Sequence, residues 1–428
     1  MQIRKNIAVE VLPICFLIQV FNAISWDSTF IVNFRWVWII SVFYYLMLRQ
    51  LLINRLDPLF FFIIYSYFGW CFLSSFWSDI LLLSLSKSIL FALVATSGIS
   101  LGLQWIRKFP LSDALNYLAP VAIISLLSGF WGFLTGTVIQ LQPELFLFQG
   151  FISGSNMLGI LLCIAFPYLL WKTYLNWTSF ENRSFWLFFS FFCFFFLTLA
   201  LSRSALLSTL ATFLGFLFSL KASKKFWSLF CALLVLLTIF FINPLTIDHV
   251  IKKYVYKTTQ ENSALFYTRE QNWADSYQAA KEGGWSGLGF GVSVGWKKFN
   301  WNNALTSVGY GREKGNSQLA IIEETGIIGF LLYLLLLSII ILKLILLHRR
   351  PMHRDERVFL GIVEGMFAAI VLHSIFEGWW TSPGALETFY FWVLTGIIRG
   401  LELRPRDNAL EIHGTKESTG TNIAFRSA

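Results

Sequence analysis

Charge is what this sequence has least of. Asp, Glu, Lys and Arg make up 13% of 428 residues, where soluble domains carry about a quarter. With 56% hydrophobic residues and a mean hydropathy of +0.63, an ordinary soluble protein is excluded. Cysteine is also sparse. Cys15, Cys71, Cys163, Cys193 and Cys231 all sit inside apolar runs, which leaves neither a disulfide framework nor zinc-ligand spacing. They read as small packing residues, and no metal or cofactor is expected. Short alternating segments are missing too, so a membrane β-barrel is excluded.

What is present is a series of long apolar runs. Runs of roughly 18 or more residues each suffice to cross a bilayer as a helix. About twelve spans follow, near 7–25, 31–53, 58–76, 82–105, 113–134, 151–174, 184–201, 204–220, 225–243, 317–347, 358–376 and 386–402. The fold class expected is an all-α polytopic membrane protein with one large extracytoplasmic loop. Residues 1–243 hold spans one to nine, 244–316 the loop, 317–402 the last three spans, and 403–428 a polar, disordered tail. The first run has no small-residue cleavage site after it and reads as a retained span. No internal repeat supports a transporter built from inverted halves.

The few charges set the orientation. With the N-terminus inside, the inner connections hold Arg4, Lys5, Arg49, Arg55, Arg107, Lys108, Lys172 and Arg183. They also hold Lys221, Lys224, Lys225, Arg349, Arg350, Arg354 and Arg357. The short outer connections carry Asp27, Asp79, Glu144 and Glu377 instead. This alternation follows the positive-inside rule, places both termini in the cytoplasm and puts the long loop outside. The formal charge of +9 is therefore a topology signal, and no nucleic-acid partner is expected.

Ionisable residues at membrane depth are costly and so mark functional candidates. Arg203, in Leu201-Ser-Arg-Ser-Ala205, stands in a connection with almost no loop. It either snorkels to headgroups or faces an anionic ligand. Lys87 and Arg35 pose the same choice more weakly. In the loop, basic residues are interleaved with rings, a mixture suited to diphosphate oxygens and sugar faces. A cap packed on the bundle by its aromatics is the alternative. Residues 267–280 read as an amphipathic helix with Thr268 as its N-cap. Phe266, Trp273, Tyr277 and Ala280 share its apolar face, and Arg269 stands in its first turn. Gly287, Gly289 and Gly291 mark a tight turn that lets backbone approach closely. Arg312, Glu313, Lys314 and Asn316 precede the next span, with Glu323 and Glu324 about two turns into it. Those two carboxylates point roughly 100° apart and need protein partners, water or the membrane edge.

These residues together resemble the bacterial O-antigen ligase and polysaccharide polymerase superfamily of membrane glycosyltransferases. The segments that carry the resemblance occur in order. They are Ser75-Phe-Trp-Ser-Asp79 with Lys87, Gly150 to Gly159 around Asn156, and Leu201 to Ala205 with Arg203. Arg269 with Trp273, the glycine turn, and Asn316 to Gly329 complete it. One position departs. Ligases of the family carry a histidine just before that asparagine, and here the residue is Gly315. The departure favours a polymerase-like branch.

The resemblance implies a GT-C-like fold and a metal-independent, inverting transfer outside the bacterial inner membrane. The donor would be a glycan on polyprenyl (undecaprenyl) diphosphate and the acceptor a second lipid-linked glycan. The product would be a surface polysaccharide, an exopolysaccharide or O-antigen. Arg203, Arg269 and Arg312, with Lys87, Asn316 and Trp273, would bind substrate, and Glu313 or Glu324 would serve as catalytic base. The lipid bilayer, a flippase and a chain-length regulator are the further partners implied. Transfer of finished glycan to a lipid core or protein is the second reading, and a transporter or flippase the third.

Overall fold

The structure, a computed structural model, describes residues 7–24, 29–52, 57–136, 138–142, 145–220, 267–293 and 314–404. The span expected at 225–243 lies outside them, as do 244–266, 294–313 and the tail beyond residue 404. The described chain folds as a helical bundle. Its helices are α1 (Ile7–Phe21), α2 (Thr29–Leu48), α3 (Pro58–Ser74), α4 (Leu81–Lys108), α5 (Ala119–Thr135) and α6 (Ser155–Leu175). They continue with α7 (Phe180–Leu199), α8 (Arg203–Ser219), α9 (Tyr267–Gly283), α10 (Ser317–His348), α11 (Arg354–Phe376) and α12 (Leu386–Glu402). A short antiparallel hairpin, β1 (Val138–Gln142) and β2 (Leu145–Phe148), pairs Val138 with Phe148 and adds to the helices.

Among the described residues, seven helical stretches are long and apolar enough to cross a membrane. They are Pro58–Trp77, Leu81–Lys108, Leu111–Thr135, Ser155–Leu175, Phe180–Leu199, Ser317–His348 and Arg354–Phe376. This is a polytopic helical membrane protein. Large apolar side chains such as Phe62, Leu134 and Phe180 stay exposed on the bundle, as lipid-facing residues do. In the fifth span, Leu111–Thr135, two 3-10 turns come first and regular α-helix starts at Ala119.

Local chemistry starts the helices where the sequence allows. Asp57 caps α3 by accepting from the Phe60 amide at 3.0 Å, with Pro58 in the first turn. Asn316 caps α10 by accepting from the Leu319 amide at 2.9 Å.

Two glycine seams then fix the bundle. Gly98 and Gly102 of α4 face α12, and Gly396 and Gly400 of α12 face Ile99 and Ile106 of α4. A Cβ on Gly98 would lie 2.9 Å from that of Trp392, so the helices approach closer than larger residues permit. The second seam joins α8 to α11. Gly215 meets Gly361 and Gly365, Thr212 meets Gly365, and Ser219 donates to the Val358 carbonyl. Residue numbers fall along α8 as they rise along α11, so these helices are antiparallel. The start of α8 therefore stands beside the end of α11.

One end of the bundle is locked by Lys343. Its ammonium lies 2.6 Å from Asp57 and 3.1 Å from Glu402, and Arg399 reaches Glu402 at 2.6 Å. The cluster ties α3, α10 and α12. Burial alone would raise the Asp57 carboxyl, but Lys343, the Phe60 amide and Arg399 outweigh it and hold it below its ordinary value.

Candidate active site

At the other end, α10 is broken. Gly326 has φ 70° and ψ −175°, which ends the first helical piece at Thr325. This conformation suits glycine, and a Cβ there would collide with the Trp285 backbone. A break frees backbone carbonyls on one side and amides on the other, each costly inside a membrane. The glycine turn after α9 satisfies four of them. Leu288 and Gly289 donate to the Glu323 and Glu324 carbonyls, both at 2.9 Å. Ile327 and Ile328 donate to the Gly284 and Trp285 carbonyls at 3.0 and 3.2 Å. Gly287, at φ 78°, lies against the Glu324 backbone.

The early motif holds the turn from the other side. Trp77 donates from Nε1 to the Gly287 carbonyl at 3.0 Å, and Ser74 accepts from the Phe290 amide at 3.0 Å. Trp70 donates to the Thr325 carbonyl at 2.8 Å. Lys87 donates from Nζ to the Gly291 carbonyl at 3.0 Å. Segments more than 200 positions apart thus converge on one break.

Inside this convergence lie the two carboxylates. Glu323 and Glu324 are fully buried, and both turn toward Lys314, itself 7% exposed. Lys314 ion-pairs with Glu324 and lies 3.6 Å from Glu323. Glu324 also accepts from Thr381 at 2.8 Å and from the Gly291 amide at 2.6 Å. With Lys87 alongside, two cations balance two anions, the condition under which buried charge persists. The requirement for protein partners is met chiefly by Lys314, a residue that sequence reasoning noted without giving it a role.

The remaining candidates border the cluster. Asn316 donates from Nδ2 to the Ile375 carbonyl at 2.8 Å, joining the start of α10 to the end of α11. Trp273 donates from Nε1 to the Gly315 carbonyl at 3.0 Å, its ring 6.0 Å from that of Phe376. Arg203 is the first residue of α8 and partly buried, after a connection of three residues in which Leu201 takes φ 52°. The antiparallel seam brings it to the same end of α11. Arg269 lies on α9. Arg312 and Glu313 lie outside the described residues.

Two details of α9 differ from expectation. The helix begins at Tyr267, so Thr268 is its second residue and not its cap. Its buried face runs through Ser276, Ala279 and Ala280, while Tyr277 is 56% exposed beneath the Lys281 ammonium. Packing of Gly283 on Ile322 and Glu323 of α10 selects that face.

Residues 188–334 match the family model described as O-antigen ligase. Over these residues, about a third of the chain, the protein is similar to that family. None of the curated proteins compared with it matches the chain. Members of the superfamily are glycosyltransferase-like membrane enzymes acting on lipid-linked glycans. The matched segment contains Arg203, Arg269, Trp273, Lys314 and both buried glutamates. Lys87 and Thr381 come from outside that segment and fold onto it.

Proposed function

We propose that the protein is an extracytoplasmic glycosyltransferase that polymerises lipid-linked oligosaccharide units, with polyprenyl diphosphate as leaving group. The observation that supports it most is the convergence of the start of α10 and the glycine turn on buried Lys314, Glu323 and Glu324, with the start of α8 at the same end of the bundle. The described part of the polar loop, residues 267–293, joins that end, and the charge pattern of the sequence favours a position outside the inner membrane.

The leaving diphosphate gains negative charge as the glycosidic bond breaks, and preorganised cations lower that barrier. Arg203, Arg269 and Arg312 are the proposed diphosphate ligands, and their guanidinium groups are permanently charged. Loss of one such group costs on the order of 10²–10³ in rate, by comparison with a single oxyanion donor. Lys87 and Lys314 hold the turn and α10 in register, while Asn316 and Trp273 fix the rim. Of the two proposed bases, Glu324 has both carboxylate oxygens committed to Lys314, Thr381 and Gly291. Its proposed task is therefore to anchor Lys314, and the role of base falls to another carboxylate at this end. Gly315 at the position where ligases carry histidine favours polymerisation over ligation.

The experiment is reconstitution of purified protein with two differently labelled lipid-linked units. Products carrying both labels support a transferase. Intact binding without product refutes it, and movement of unreacted units across the bilayer points to a flippase.

A further inference from the structure

Glu387 lies outside the Lys314 ion-pair cluster. It stands in the first turn of α12, is 7% exposed, and forms no ion pair or hydrogen bond with another side chain among the described residues. Other buried carboxylates of the bundle are compensated. Glu323 and Glu324 have Lys314, and Glu402 has Lys343 and Arg399. A buried carboxylate without a cation is costly, and such groups in a membrane protein mark function before stability.

Its position is at the site. Thr388, the next residue, donates to the carbonyls of Trp379 and Ser382 at 2.8 and 2.9 Å, folding the α12 start onto the preceding connection. That same connection delivers Thr381 to Glu324 and presents the Glu377 carbonyl to Ser317 at 2.7 Å. It also holds the Trp379 indole, whose Nε1 is buried without a hydrogen-bond partner. The start of α12 and the connection folded onto it thus hold a buried carboxylate without a cation and a buried donor without a partner, and each is a group that a sugar hydroxyl, both donor and acceptor, can satisfy. Among the described residues, the charged and titratable groups around this end include Glu377, Arg35 at the Gly384 carbonyl, Lys314, Lys87, Glu323, Glu324, His373 and Arg203. Among them, Glu377 is near enough to act on Glu387 electrostatically.

We propose that Glu387 receives the proton of the acceptor hydroxyl, with Trp379 as its positioning partner. The inference rests on the transferase reading. As the acceptor oxygen bonds to the donor anomeric carbon, the bond from that carbon to the diphosphate oxygen breaks and its electron pair leaves with the diphosphate. The hydroxyl proton passes to the Glu387 carboxylate and is released to water at the outer face.

The test compares wild type, Glu387→Gln and Glu387→Asp in vesicles carrying a polyprenyl-diphosphate-linked oligosaccharide. Glu387→Gln is expected to lower kcat by about 10²-fold or more and to remove one limb of the pH–rate profile. Donor KM should stay within about twofold, since the ground state is untouched. Glu387→Asp should restore part of the rate and of the limb. If wild type forms no product, the transferase reading itself fails. With wild type active, a Glu387→Gln variant of unchanged rate and profile overturns the proposal. So does one whose donor binding and thermal stability fall together with rate, because that marks a structural role.

Discussion

Lys314 is the residue on which the site balances. Among the described residues it carries the one ammonium that touches both Glu323 and Glu324, and all three side chains are buried. Removing one partner of such a cluster strands the others, which costs about 3–5 kcal/mol. Lys314→Met should therefore destabilise the protein by that amount. Adding Glu323→Gln and Glu324→Gln to it should recover part of the loss, because of the cluster only the Lys87 charge then remains, held on the Gly291 carbonyl. Denaturation of the single and triple variants in detergent measures both. A single variant within about 1 kcal/mol of wild type would show that the cluster is not a coupled unit. Much of this was legible in the sequence: adjacent glutamates inside an apolar run demand partners. Lys314 was harder to read, because nothing in a string shows that a lysine before a helix folds back over its third turn. Glu387 was invisible for the opposite reason. One glutamate at the edge of an apolar run looks like an interfacial residue until its neighbours are known.

At the scale of elements, the break at Gly326 and the turn at residues 283–289 form one device. Each supplies the hydrogen bonds that the other lacks. Gly326→Ala forces a side chain into positive φ, at about 1–3 kcal/mol, and against Trp285. Thermal stability should fall by that amount. Glycan transfer should fall further, on the order of 10²-fold, because displaced groups lose alignment. Retained activity would show that the break does not position the site. The Gly287, Gly289 and Gly291 spacing announced a close backbone approach, and the structure supplies the backbone approached, that of α10. Helix pairing was not legible: Gly98 with Gly102, and Gly396 with Gly400, are four-residue spacings whose partners only the packed bundle reveals.

The opposite end offers a pH test of the same packing. Asp57 titrates below its ordinary value of 3.8 in the folded protein. A lowered folded value means stabilisation that is present above the unfolded value and lost as pH falls through the folded one. Asp57→Asn should therefore be less stable than wild type at neutral pH, and the gap should close as pH drops below about 4. Melting temperatures of the two proteins across that range check it. A gap that stays constant would mean that Lys343 does not hold Asp57 as an ion pair.

For the whole molecule, the sequence carried the architecture further than the chemistry. Long apolar runs gave polytopic helices, and most observed boundaries lie within a few residues of them, since run length dictates what spans a bilayer. Motifs scattered from Ser75 to Gly329 turned out to meet at one end, which their order along the chain could not show. The central claim is that this end transfers glycans between lipid carriers. Reconstituted protein given two labelled polyprenyl-diphosphate-linked units tests it most directly. The account predicts one product bearing both labels, with release of one polyprenyl diphosphate per bond and a rate about 10²–10³-fold lower in Arg203→Ala. Bound substrates that never join, or joining that ignores Arg203, would contradict it.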